Sequence, residues 1–297
     1  MDLAFECGLF VVGLAFGSFL NVCIRRIPRD ESIVRPRSRC PACGASIRWH
    51  DNIPLLSWLR LRRRCRDCQT LISWRYPVVE LATAVLFTAC YHSFGPTWTT
   101  LKFCVLCFLL VGLIFMDAET GLLPREFTYS GIVLGLVFSW IAPPDSSGMR
   151  FFLNLYGVQL PPPRHLALID SVGAALAGAG FFYLAWALYY LLCRRHGMGF
   201  GDIALMAMVG AFLGLKLTVL VIFSAPLAGA LYGIVVVAWR PRKPPEAIAE
   251  ADMEAGSSAR ESFLSQQLPF GVFIGACTLA TVFFGESVWR WYLGLFG

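Results

Sequence analysis

Eight stretches of this chain are apolar over lengths that a water-facing core does not explain. They run over roughly 3–24, 77–94, 98–116, 127–142, 167–193, 203–215, 217–239 and 270–294. A helix that crosses the hydrocarbon layer needs about 20 predominantly apolar residues. Inside that layer every backbone N–H and C=O must find its partner within the protein, which leaves helices and closed barrels as spanning elements. The stretches read as helices. The expected fold class is therefore an all-α polytopic membrane protein with about eight transmembrane helices. Composition agrees: 57% of the 297 residues are hydrophobic and 15% are charged, where a soluble domain carries about a quarter charged.

Charge orients the chain. Thirteen of its 25 basic residues, all arginine, lie between Arg25 and Arg75, against four acids, Asp30, Glu31, Asp51 and Asp67. Thirteen against four leaves +9, more than the +6 of the whole chain. Basic loops stay on the cytoplasmic side of a membrane. Alternation then puts Asp117–Glu126, Arg194–Asp202 and Arg240–Leu268 on that side as well. Both termini and the Pro-rich loop Pro143–His165 lie outside. Three units follow: a first transmembrane helix (1–24), a cytoplasmic domain (25–76) and a membrane-embedded remainder (77–297). No small-residue cleavage site follows the first stretch, so it is expected to stay as a span. Pro143–His165 is expected to act as a stiff spacer, and Ile248–Gln267 to be disordered.

Seven of the 11 cysteines stand singly in apolar runs, as small buried hydrophobes do. The other four form Cys40-Pro-Ala-Cys43 and Cys65-Arg-Asp-Cys68, two C-x2-C pairs 21 residues apart. Each pair can present two thiolates from one turn. Two such turns complete a tetrahedral set of four sulfurs, a structural Zn2+ site with no open position. Cytoplasmic thiols stay reduced, which disfavours disulfides here. The metal would pin a loop too polar to build its own core. Arginines beside such turns also occur in nucleic-acid binders, but these stand against a membrane, so anionic membrane lipid is the expected partner and nucleic acid is not.

Two acids sit at span ends on the cytoplasmic face: Asp117 closes the third stretch, and Asp202 opens the sixth after Gly197, Gly199 and Gly201. Glycines at alternate positions let backbone bend or approach a substrate. Two carboxylates sharing a site cannot both ionise easily, so one keeps a proton. Such a pair activates water against an amide and protonates the leaving nitrogen. Asp117 at a helix C-terminus and Asp202 at an N-terminus would be resting acid and resting base respectively, by the helix dipole. Glu119 and Glu126 are expected to be solvated loop acids.

These residues resemble a known family. Gly199-Phe200-Gly201-Asp202 is similar to the G-x-G-D motif of membrane aspartyl proteases, and together with the four-cysteine segment the chain resembles the bacterial bifunctional prepilin peptidases. The likeness runs in order through Gly17-Ser18-Phe19-Leu20-Asn21-Val22, Trp49–Trp58, Ser73–Glu80, Asp117 with Leu123-Pro124, and Leu268-Pro269-Phe270-Gly271. It departs at Arg125, where the family has Asp or Asn, and at Val272, where it often has Pro. The resemblance implies a bifunctional leader peptidase of the bacterial inner membrane. It would cut type IV prepilins or type II secretion pseudopilins after a glycine and N-methylate the new N-terminus with S-adenosylmethionine. It also implies Asp117 and Asp202 as the protease pair and Cys40, Cys43, Cys65 and Cys68 as the zinc set linked to methylation.

For methyl transfer the candidates are the polar groups of those motifs: Ser18, Asn21, Asp51, Asn52 and Glu80. Ser18 and Asn21 serve equally as interhelix hydrogen-bonding groups, and Asp51 and Asn52 as turn formers before Pro54. Glu80 near the start of a span is costly unless paired; it could orient the substrate amine or pair with an arginine. Two other functions compete. A transporter would use the aspartates as a proton or cation relay, and a structural membrane protein would dock a cytosolic partner on its zinc domain. The first does not account for the four-cysteine domain.

Overall fold

The computed structural model describes residues 3–157, 159–194, 199–239 and 269–295. Every described regular element is helical, apart from two isolated β-bridges in the cysteine segment. The helices are α1 (Leu3–Arg26), α2 (Leu56–Arg60), α3 (Arg75–Phe94), α4 (Trp98–Thr120), α5 (Arg125–Ile141), α6 (Ser147–Leu155), α7 (Pro163–Cys193), α8 (Phe200–Ala238) and α9 (Phe270–Gly294). Six are long and apolar enough to cross a membrane. At 17 residues, α5 falls just short of them.

The 39-residue α8 holds two of the expected stretches. Straight, it would measure about 58 Å, nearly twice the hydrocarbon thickness of about 30 Å. It is not straight. Gly214 breaks it with φ 75°, ψ 174°, a left-handed backbone that favours glycine. Contacts on either side show a reversal. A Cβ on Gly201 would lie 2.8 Å from Leu123 Cβ, and Leu123 Cδ1 would lie 3.1 Å from a Cβ on Gly271 at the start of α9. Gly229, far along the other half, also faces that start, through Phe270 and Phe273 at 3.5 and 3.7 Å. Leu217, just past the break, meets Gly285 near the other end of α9. Both arms of α8 therefore run the same depth in opposite directions, with Gly214 at the tip.

The first arm of α8 packs on α7 in a fixed register. Gly178 meets Met206, Gly210 meets Ala174, and Gly214 meets Asp170. Each step of four along one helix is a step of four back along the other, the spacing of one helical face. The next pair in the series is Phe182 and Asp202, both buried. At the tip, Asp170 Oδ2 accepts the Leu215 N–H at 3.3 Å, capping the second arm. Lys216 there bridges Asp145 and Glu286 at 2.8 and 2.7 Å.

On the other side of the bundle, α1 and α3 touch backbone to backbone. Cβ atoms added at Gly13 and Gly17 would lie 2.6 Å from the Cα atoms of Ala84 and Glu80. This is the small-xxx-small interface that lets helices approach closely in lipid.

Two expectations change. Pro143–His165 contains α6 and the start of α7, because Pro163 fits the first turn of a helix, where no N–H is needed. Glu119 is exposed as expected but is not in a loop: it lies on the last turn of α4 and pairs with Arg75 at 2.6 Å. Ile248–Gln267 lies outside the described residues.

Gly17→Ala is expected to force α1 from α3 and destabilise the fold by about 1–3 kcal/mol. Gly8→Ala, whose Cβ meets nothing within 4 Å, is expected to be neutral or to stabilise by up to about 1 kcal/mol. Thermal unfolding in detergent checks the pair, and equal midpoints for both variants would refute the close packing.

Candidate active site

Asp117 lies in the last turn of α4, three residues before its end, and the left-handed Gly121 closes that turn by donating its N–H to the Asp117 carbonyl at 2.8 Å. Its carboxylate points at the first turn of α9. There Oδ2 accepts the Val272 N–H at 3.1 Å, and the Gly271 N–H bonds it as well. Those are among the N–H groups a helix start leaves without intrahelical partners. Gly271 must be glycine for this approach, since a Cβ there would lie 2.9 Å from Asp117 Oδ2.

Asp202 is the third residue of α8, after the N-cap Gly199. There its own N–H closes the first turn on the Gly199 carbonyl at 3.2 Å, and its carboxylate lies over Gly199, 3.8 Å from where a Cβ would stand. Both carboxyls are buried, 5% and 6% exposed, and they interact electrostatically. Leu123 is wedged between Gly201 and Gly271 and so ties the two together. Aromatic rings close the neighbourhood: Phe182 stands 5.7 Å from Phe270, and Trp186 4.9 Å from Phe200.

The helix-dipole assignment changes here. Asp117 ends its own helix but also caps the start of α9, so each carboxylate has a helix N-terminus favouring its charge. Opposed dipoles therefore no longer separate acid from base. What remains between the two is their like charge. Arg125 and Glu126 are exposed on the first turn of α5, and Arg125 makes no ion pair among the described residues.

The four cysteines form one cluster, with all four sulfurs within 4.8 Å of one another and no disulfide among them. Cys40 Sγ and Cys68 Sγ are 3.8 Å apart. Four sulfurs at about 2.3 Å from a tetrahedral zinc are about 3.8 Å apart, so the set fits that ion. The two turns are built alike. Gly44 N–H returns to Cys40 O, and Gln69 N–H to Cys65 O. Cys40 N–H bonds Ala45 O, and Cys65 N–H bonds Thr70 O. Bridges Arg39–Ser46 and Arg64–Leu71 flank them. Gln69 takes the left-handed backbone (φ 58°) that Gly44 takes (φ 71°).

Of the methyl-transfer candidates, three converge and two do not. Glu80, buried in α3, accepts the Leu55 N–H at 2.9 Å and packs against Gly17 of α1, next to Ser18. Asn21, one turn further along α1, donates to Tyr76 O at 3.0 Å, and its Oδ1 is buried without a partner. Leu55 itself has φ 58°, ψ −50°, in a tight turn closed by Leu56 N–H on Pro54 O. That backbone is strained for a branched side chain and is held by the glutamate. Asp51 is engaged elsewhere, in a two-pronged bond with Arg66 at 2.8 and 2.5 Å. The Arg66 guanidinium keeps its carboxyl below the usual carboxylate range. Asn52 ends the short turn Trp49–Asp51 by donating to Trp49 O.

Sequence reasoning found the acids and the thiols. It missed the Val272 and Gly271 N–H groups and the Leu123 wedge, although all three lie in or beside motifs it singled out. It gave Leu55 no role. These depend on contacts between distant segments that no local pattern signals.

Residues 104–234 match the type IV leader peptidase family, and residues 11–94 match the bacterial peptidase A24 N-terminal domain. The prepilin leader peptidase/N-methyltransferase of Myxococcus xanthus is 40% identical over 254 residues, 86% of this chain and 70% of that protein. The enzyme of the same name from Aeromonas salmonicida is 34% identical over 313 residues, covering 96% of this chain and 92% of its own. That of Pseudomonas aeruginosa is 30% identical and covers 99% and 96%. No solved structure matches the chain.

Proposed function

Because this chain belongs to the type IV leader peptidase family, we propose that it removes the leader from prepilins and N-methylates the new N-terminus. The substrates are type IV prepilins or type II secretion pseudopilins cut after a glycine. One observation carries the peptidase reading: Asp117 and Asp202 are both buried where the end of α4 meets the starts of α8 and α9, joined by Leu123 between Gly201 and Gly271, and Asp117 accepts the Val272 N–H there.

The chemistry follows from one shared proton. The ionised carboxylate takes a proton from water as the oxygen attacks the carbonyl carbon of the glycine. The protonated carboxyl hydrogen-bonds the carbonyl oxygen. The C–N bond then breaks, and the nitrogen leaves with a proton from the dyad as a free amine. Leu123, Phe182 and Phe270 exclude bulk water. In this reading the helix ends that carry Gly199 and Asp117 lie at the membrane surface, where a basic leader held inside by its charge delivers the bond to be cut.

In this reading the chain crosses the bacterial inner membrane eight times, counting α5 and both arms of α8, with its N-terminus periplasmic and its dyad facing the cytoplasm. Residues 25–76 form the cytoplasmic domain, in which Cys40, Cys43, Cys65 and Cys68 hold a structural zinc. S-adenosylmethionine supplies the methyl group. The acceptor oxygens of Glu80 and Asn21 suit a cationic amine, and Glu80 takes the proton that the amine gives up. Ser18 orients Glu80. Asp51 and Asn52 shape the loop that carries Leu55.

Asp117→Asn and Asp202→Asn are each expected to slow cleavage by at least about 100-fold, read by mass analysis of a pilin-like substrate with a Gly-Phe junction. Full cleavage by both variants would end the dyad reading. Glu80→Gln is expected to spare cleavage and reduce methylation of a pre-cleaved substrate by about tenfold or more; unchanged methylation would remove the residue from that role. Chelation is expected to release one zinc per chain and open four thiols to alkylation. Thiols equally reactive before and after chelator would argue against a bound metal.

A further inference from the structure

The cysteine lobe has a surface that neither the zinc cage nor the dyad accounts for. Leu56 and Leu59 on α2 are 65% and 63% exposed, and Trp74 is 56% exposed. Residues at i, i+3 and i+4 share one helix face, so Leu56, Leu59 and the exposed Arg60 stand together. Trp74 packs on the flank of the same short helix: its ring is 4.4 Å from that of Trp58 on α2, and the Arg63 guanidinium sits 4.9 Å over it.

The depth of this face is fixed. Leu55, the residue before α2, is tied by its N–H to Glu80. Glu80 is the sixth residue of α3, about 7.5 Å along the helix axis from Arg75. The start of α2 therefore hangs below the mouth of α3, at a level where α3 is already apolar. Leucines exposed at that level meet the boundary between headgroups and acyl chains. The charge around them is one-sided, thirteen arginines against four acids between Arg25 and Arg75. One of those acids, Asp51, is spent on Arg66.

We propose that the face formed by Leu56, Leu59, Arg60 and Trp74 docks on anionic phospholipid of the membrane that holds the helices. The leucines and Trp74 enter the interface, and the arginines take the phosphates. Juxtamembrane basic residues are drawn to an anionic leaflet. A basic leader does not complement this face, because the lobe's own charge repels it. Docking on lipid neutralises that charge, so a basic leader can approach the dyad beside it.

The test is hydrogen–deuterium exchange of the full chain in nanodiscs, following peptides that cover 53–60 and 70–75. Exchange is expected to be about tenfold slower in discs containing phosphatidylglycerol than in phosphatidylcholine alone, the effect of one or two arginine–headgroup contacts. High salt is expected to remove the difference. Leu56→Asp with Leu59→Asp is expected to remove it too, with the four thiols still protected from alkylation as evidence of an intact lobe. Equal exchange in both discs overturns the proposal. So does protection that survives high salt, or protection that appears in phosphatidylcholine only when a pilin-like substrate is added, which would assign the face to substrate. Should the double variant lose thiol protection, the lipid and salt comparisons on the unaltered chain decide alone. None of these readouts depends on catalysis, so failure of the peptidase assignment would leave the result standing.

Discussion

A helical chain in hydrocarbon can reverse only where its freed backbone groups are satisfied by something nearby. At Gly214 the reversal takes place within a single residue. Asp170 fills the space a side chain would have taken and bonds the first free N–H of the returning arm. The rest of the peptidase half depends on this. The reversal fixes how deep the first arm of α8 sits. The four-residue register with α7 carries that depth to Asp202, and the returning arm meets the start of α9, where Asp117 is engaged. A buried carboxylate in the membrane is costly without partners. Here one such group, far from the dyad, sets the geometry that two others use.

The dyad shows a second use of helix ends. Each aspartate lies at a helix start, Asp117 on the Val272 N–H of α9 and Asp202 in the first turn of α8, where the helix dipole makes a buried charge tolerable. Glycines at 201 and 271 let backbone come this close.

Much of this was legible in the sequence, for identifiable reasons. Hydropathy located all eight apolar stretches, because lipid enforces long uninterrupted runs. The C-x2-C spacing located the cage, because four thiolates around one ion need it. Asp117 and Asp202 stood out as acids at the ends of apolar runs. The misses share a cause too. That Val272 bonds Asp117 across 155 residues, that Glu119 pairs with Arg75, and that Glu80 reaches the backbone of Leu55 are all outcomes of packing. Local composition predicts none of them. The dipole argument failed for the same reason: it knew the helix Asp117 ends but not the one it caps.

That cap has a further meaning. The Gly271 and Val272 N–H groups hold Asp117 and are themselves the anchor of the last helix. A carboxylate accepts such bonds more strongly when ionised than when protonated. If Asp117 takes and gives the shared proton in each turnover, the grip on α9 weakens and tightens with it. In that case the Asp117 carboxylate is also a latch, and the start of α9 keeps time with its protonation.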